Sequence, residues 1–265
     1  MFRLLTVMLL LSAPAFAGEP APSKVDLVAA RAAVAPGGTV WLALRQQLRP
    51  GWHSYWRNPG DAGEATTITW RLPEGVTAGP VRWPLPERFV DGPVVSFGYQ
   101  GEVLLPIALR LPAGAAGTLT IAATADYVVC AEICIPETAE VALRLPIAAQ
   151  AKPTPEAAAI AAARAAEPKP FSGSVAARLS ADEVELRLAG RADLAAKQPW
   201  FLAHAWGVLD PGPPLAARTE AGDLVLRLRR GDLKAQSLPR LDGVLVWGGE
   251  TPESLTVSAP TVPMN

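Results

Sequence analysis

The sequence predicts an all-β chain organised as two β-sandwich domains, and three observations carry that prediction. Short runs alternate apolar with small or polar residues. Gly/Pro turn signals separate the runs, at Pro36-Gly37-Gly38, Pro50-Gly51, Pro59-Gly60 and Pro73-Glu74-Gly75. The 27 prolines suit edges and turns far better than helix interiors.

The first 17 residues stand apart. Met1-Phe2-Arg3, an apolar run and Ala15-Phe16-Ala17 have the layout of a secretory signal with a small-x-small cleavage site. The run is too short and wrongly flanked for a membrane span, which needs about 20 apolar residues. A mature chain from Gly18 is expected, with no membrane span and a periplasmic location. Loss of Arg3 leaves 23 basic against 25 acidic side chains, and no basic patch suggests nucleic-acid binding.

Strands are expected at Thr39–Leu48, Thr66–Leu72, Gly117–Thr124 and Ala139–Leu145, each with period-2 patterning. Residues 18–148 form the first domain in this reading. A boundary follows at 149–170, where Pro153 and Pro155 open an alanine-dominated run that Pro168 and Pro170 close. Alanine favours a short helix over Glu156–Ala166, with a disordered Pro/Ala linker as the alternative. Residues 171–265 form the second domain, with strands at Ser174–Leu179, Glu183–Leu188, Trp200–Trp206, Leu224–Leu228, Val244–Trp247 and Leu255–Ser258. Trp200, Trp206 and Trp247 are expected in its core, and Trp52, Trp56, Trp70 and Trp83 in the core of the first. A peptide-binding groove is the other use for that first tryptophan group.

Cys130 and Cys134 are the only cysteines. In a straight strand they would lie about 13 Å apart, whereas a disulfide needs Cα atoms about 5.5 Å apart. Bonding therefore requires Ala131-Glu132-Ile133 to turn back tightly. So small a loop gives little loop-closure stabilisation, and a strained or exposed bridge is the labile kind. The spacing leans toward a working redox couple over a structural staple and leaves both open. A metal site would need more ligands than His53, His204 and Met264 offer, so neither metal nor cofactor is expected.

Three motifs occur in series: Gly51-Trp-His-Ser-Tyr-Trp-Arg-Asn-Pro-Gly-Asp-Ala-Gly63, Val94-Val-Ser-Phe-Gly-Tyr-Gln-Gly-Glu-Val-Leu-Leu-Pro106 and Cys130-Ala-Glu-Ile-Cys-Ile-Pro-Glu137. Together, over roughly residues 25–148, they resemble the N-terminal periplasmic domain of the DsbD/ScsB family of thiol:disulfide interchange proteins. The resemblance implies an immunoglobulin-like sandwich with the cysteine pair exposed at one edge. In that family the pair receives electrons from a membrane domain by way of a thioredoxin-like domain and passes them to thioredoxin-fold periplasmic proteins. Cys134 matches the cysteine that forms the mixed disulfide, and Cys130 the resolving one. Phe97 and Tyr99 fall where the family has an aromatic cap that shields the pair; ordinary packing is their other reading.

The remaining polar residues of these motifs have plainer expected roles. His53 is either a base for the thiols or a packed, hydrogen-bonded residue. Arg57, Asn58 and Asp61 are expected to tie down their loop. Glu132 and Glu137 disfavour a thiolate, which leaves its activation to an encounter complex or to backbone amides.

The sequence departs from the family in three ways. Three residues separate the cysteines, as the ScsB-like branch tolerates, where DsbD itself has five. Val94, Val95 and Ser96 stand where acidic residues precede the cap aromatic in DsbD. No membrane segment or Cys-x-x-Cys domain follows, so a separate membrane electron-transfer protein is the expected donor. The competing expectation is a non-catalytic periplasmic binding protein with an inert disulfide. A copper-tolerance role acting through thiol protection is a third.

Overall fold

The structure is a computed structural model describing residues 21–233, 237–249 and 251–264; the expected signal segment, 1–17, lies outside the described residues. Ten strands come first: β1 (Ser23–Ala29), β2 (Thr39–Leu48), β3 (His53–Gly60), β4 (Thr67–Arg71), β5 (Thr77–Ala78), β6 (Glu87–Asp91), β7 (Val94–Gln100), β8 (Glu102–Arg110), β9 (Thr118–Cys130) and β10 (Cys134–Pro146). One sheet has the order β1-β2-β8-β5, and a second the order β10-β9-β3-β7-β6 with β4 also on β9. Every pairing in them is antiparallel.

Alternation decides which residues enter the core between these sheets. In β9, Leu119, Ile121, Ala123, Ala125, Tyr127 and Val129 are buried, and the residues between them are more exposed. They meet Leu42, Leu44, Leu105, Ile107 and Leu109 of β2 and β8 in one apolar cluster. Trp56 is buried in that cluster, while Trp52, Trp70 and Trp83 pack against it partly exposed. A polar chain crosses the interior. Ser54 Oγ donates to Gln46 Oε1 at 2.9 Å, and Gln46 Nε2 donates to Thr66 Oγ1 at 3.0 Å. It satisfies three buried side chains and fixes the segment before β4 against β2 and β3.

The alanine-rich segment forms helix α1 (Ala157–Ala165), one residue shorter at each end than the sequence suggests. It is docked rather than free. Ile160 packs on Val28, Ala43 and Leu104, and the Arg164 guanidinium lies 3.7 Å over the Trp41 ring. Isolated bridges Arg31↔Pro153 and Val34↔Ile147 hold the chain leading into it.

Eight strands follow: β11 (Lys169–Pro170), β12 (Val175–Leu179), β13 (Glu183–Leu188), β14 (Trp200–Ala203), β15 (Ala216–Glu220), β16 (Asp223–Arg229), β17 (Arg240–Trp247) and β18 (Glu253–Pro263). Their order is β14-β17-β18-β12-β13-β16-β15, with β11 also on β18. β18 serves two ladders in turn. Its residues 253–260 pair with β17, and Thr261–Pro263 pair in parallel with β12. Strands that switch sheets in this way make the corners of a sandwich. Leu186, Leu226, Leu245 and Val257 are among the residues that fill the space between the two ladders.

Of the three tryptophans expected in this second core, only Trp247 is there. Trp200 packs instead against the core of the first half, which also takes in Leu202 and Val244. Trp206 is 51% exposed and donates from Nε1 to the Gly60 carbonyl at 3.0 Å. Trp200 goes there because β14 (Trp200–Ala203) lays Trp200 and Leu202 against the first core.

Candidate functional site

β9 and β10 form a hairpin of 13-residue strands in continuous register, ending at the pair Cys130↔Cys134. Ala131, Glu132 and Ile133 make the turn, tied by the Ala131 N–H donating to the Ile133 carbonyl at 3.0 Å. The cysteines are disulfide-bonded with Cα atoms 4.1 Å apart. The backbone ladder runs up to the disulfide, so the loop that the bond closes holds only Ala131, Glu132 and Ile133.

The two sulfur-bearing residues are not equivalent. Cys130 is 2% exposed, whereas Cys134 is exposed beside the open apolar side chain of Ile133. Burial follows from pairing: Cys130 is covered because His53 at the start of β3 pairs with it on its other side. Cys134 lies on β10, the edge strand of this sheet among the described residues.

Paired residues in a sheet share a face, and alternate residues along a strand share it too. Cys130 pairs with His53, and His53 lies two residues from Tyr55. Tyr55 pairs with Gly98, which lies two residues from Ser96, the partner of Phe89. The disulfide, His53, Tyr55 and Phe89 are therefore on one face. Tyr55 Oη lies 3.8 Å from Cys134 Sγ and 3.2 Å from His53 Nε2. The Phe89 ring stacks on His53 with centroids 4.6 Å apart. Burial lowers the His53 pKa from its ordinary value, so the ring is neutral at pH 7. Burial also raises the Tyr55 pKa, which keeps its hydroxyl protonated.

Close backbone approach builds this pocket. A Cβ at Gly98 would sit 1.9 Å from the Ser54 carbonyl oxygen. At Gly63, where φ is +85°, a Cβ would sit 2.1 Å from the Tyr55 ring. Asn58 and Asp61 anchor the same region, as expected. Asn58 Oδ1 accepts from the Gly60 N–H at 3.1 Å, and Asp61 Oδ2 from the Val95 N–H at 2.8 Å.

Phe97 and Tyr99, read as either a shield for the sulfurs or ordinary packing, lie on the opposite, inner face. Phe97 is 1% exposed and packs edge-on to Trp56. Tyr99 is likewise buried, and its hydroxyl donates to the Pro84 carbonyl at 2.8 Å. Odd positions of β7 face the core, so the aromatic beside the pair comes from the adjacent strand as Phe89. Its position after an acidic residue and an arginine gave no sequence signal for that role.

The second half meets this region from the inner side. Asn58 Nδ2 donates to the carbonyls of Ala203 at 2.7 Å and Ala205 at 3.3 Å. Arg88, next to Phe89, covers Trp200. A groove of about 820 Å³ runs along this junction, with Arg88, Trp200, Pro213, Pro214 and Trp247 in its walls. Among the described residues no cluster of metal-ligating side chains occurs, and no helix is long and apolar enough to cross a membrane.

The β-sandwich carries a two-cysteine hairpin in which Cys130 is buried and Cys134 exposed, an arrangement suited to thiol–disulfide exchange. Residues 24–146 match the family model described as the N-terminal domain of thiol:disulfide interchange protein DsbD. Among solved structures, the N-terminal periplasmic domain of ScsB from Proteus mirabilis superposes with a TM-score of 0.62 at 20% identity, covering 90% of this chain and 92% of that one. The major pilin subunit BcpA of Bacillus cereus aligns with a TM-score of only 0.30 at 9% identity, over 92% of this chain and 70% of that one. No curated protein sequence matches. Residues 24–146 thus match the DsbD N-terminal family model, and the chain shares its fold with the ScsB domain through both halves.

Proposed function

We propose that this protein is a periplasmic module that relays reducing equivalents through Cys130 and Cys134 to thioredoxin-fold partner proteins. The observation that carries the reading is the unequal exposure of the two cysteines. In the reduced form the Cys134 thiolate attacks a partner's disulfide sulfur, forming a mixed disulfide and releasing the partner's other thiolate. Cys130, held beside it by the hairpin, then attacks Cys134 Sγ and expels the partner. Two electrons pass to the partner, whose two thiolates take up the protons the cysteines lose to solvent.

In this reading residues 18–148 form the exchange domain, 149–170 a docked linker and 171–265 a second sandwich domain. Phe89 and His53, rather than Phe97 and Tyr99, shield the pair. Electrons come from a membrane electron-transfer partner. The family match and the ScsB-like fold support the periplasmic setting and the class of partner.

The test is the reduction potential of the pair, measured by equilibrating the protein with thiol buffers and counting free thiols. A value of roughly −200 to −250 mV, in the range of exchange catalysts, is expected. A value below about −300 mV marks a structural bridge and leaves the binding-protein reading in its place.

A further inference from the structure

The geometry points to a hydrogen-bond relay, His53 Nε2–H to Tyr55 Oη–H to Cys134 Sγ, that holds Cys134 as the thiolate during exchange. This rests on the exchange reading and supplies the activation that the sequence left unassigned.

The direction of the relay follows from the proton inventory. A disulfide sulfur has no proton to give, so across the 3.8 Å contact Tyr55 must be the donor. Its single hydrogen is then committed to sulfur. The 3.2 Å contact with His53 requires Nε2 to carry the proton and donate to the tyrosine oxygen. Both donors therefore point toward Cys134, and each polarises the next. A long contact to a neutral sulfur becomes a charge-assisted one when that sulfur is a thiolate. Tyr55 touches the reacting atom, and His53 acts through it as a positioning residue.

The surroundings favour this arrangement. Tyr55 is 2% exposed, with Gly63 against its ring, so its hydroxyl cannot turn away into water. Phe89 fixes the plane of His53 from β6. The charged residues nearest Cys134 along its own hairpin are Glu132 in the turn and Glu137 in β10, and both oppose a thiolate. The neutral relay offsets them. It also serves re-reduction of the pair, because a stabilised Cys134 thiolate is a better leaving group when the electron donor's second thiol resolves the donor's mixed disulfide with Cys134.

The experiment follows the pH dependence of Cys134 alkylation by iodoacetamide in the reduced protein, resolved from Cys130 by mass spectrometry. Tyr55→Phe keeps the buried ring and removes only the oxygen. It is expected to raise the Cys134 midpoint by about one pH unit, which means about tenfold slower alkylation at neutral pH. His53→Leu is expected to shift the midpoint in the same direction by less. His53→Gln, which restores an N–H donor, lies between His53→Leu and wild type. An unchanged midpoint in Tyr55→Phe or in His53→Leu, in variants with wild-type circular dichroism, overturns the relay. Failure of the exchange reading shows separately, as a wild-type potential below about −300 mV, because the alkylation profile needs no partner.

Discussion

The Arg88 guanidinium carbon lies 3.8 Å from the centroid of the Trp200 indole. Arg88 and Phe89 are neighbours in β6 and face opposite sides of the sheet. One holds the second half of the chain, and the other stacks on His53 beside the disulfide. The β6–β7 hairpin is thereby pinned from both faces.

Loosening that pin should expose the disulfide. Arg88→Met keeps the apolar stem and removes a cation–π contact worth about 0.5–1 kcal/mol. The second-order rate of disulfide reduction by dithiothreitol is expected to rise about two- to fivefold. Phe89→Ala, which removes the ring on His53, should raise it more. Equal rates in all three proteins would show that the hairpin does not limit access.

The unequal burial of the cysteines assigns their order. Cys134→Ser should abolish exchange with thioredoxin-fold proteins. Cys130→Ser should accumulate a mixed disulfide through Cys134, visible as a thiol-sensitive adduct on non-reducing gels. An adduct through Cys130 in the Cys134→Ser protein would reverse the two roles.

Much of this site was legible in the sequence, and the illegible part has a physical reason. Period-2 patterning placed β2 and β13 at their observed bounds, and the turn between the cysteines followed from disulfide geometry. The aromatic face did not follow. A strand pattern tells that residues alternate, but only the register with its neighbours tells which face meets the sulfurs. β3 carries an irregularity between Tyr55 and Gly60 that breaks simple counting across the sheet. Tyr55 and Cys134 are brought together by non-local pairing through β9, which no local pattern records. Trp200 was misplaced for a similar reason, since a buried-type residue does not announce which core it enters, and Trp206 stays exposed because its indole N–H is used on the Gly60 carbonyl.

Asn58 is a buried bracket between the two halves. Replacing it with Ala removes two donated bonds and one accepted bond, leaving the Ala203 carbonyl and the Gly60 N–H short of partners. A loss of about 2–4 kcal/mol is expected from urea unfolding. A loss below about 0.5 kcal/mol would mean that water replaces the amide without penalty.

His204 makes stability depend on pH. Burial, aided by the Arg57 guanidinium and opposed by Asp242, pushes its imidazole down to about 4, with the ring edge-on to Trp56. The unfolded chain therefore binds a proton that the folded chain refuses between about pH 6.5 and 4. Its stabilising effect is complete above pH 6.5 and fades as pH falls through that window. Allowing for solvent screening of a half-buried ring, the loss is on the order of 1–2 kcal/mol. His204→Gln should flatten the dependence of the urea midpoint on pH between 7 and 4.5. An unchanged slope would place the effect on other groups.

The double duty of β18 sets an order of assembly. It completes its ladders by pairing in parallel with β11 and β12, Lys169 with Leu255 and Ala177 with Thr261. Contacts so distant along the chain form slowly, and in a chain that reaches the periplasm N-terminus first they wait until β18 has arrived. The β9–β10 hairpin is local and has all its residues long before. A newly made molecule therefore passes through a stage in which the cysteine pair is in place while Trp200 has no finished sheet behind it. In that stage the β6–β7 hairpin is held from one side only, and the young protein is more open to thiols than the mature one.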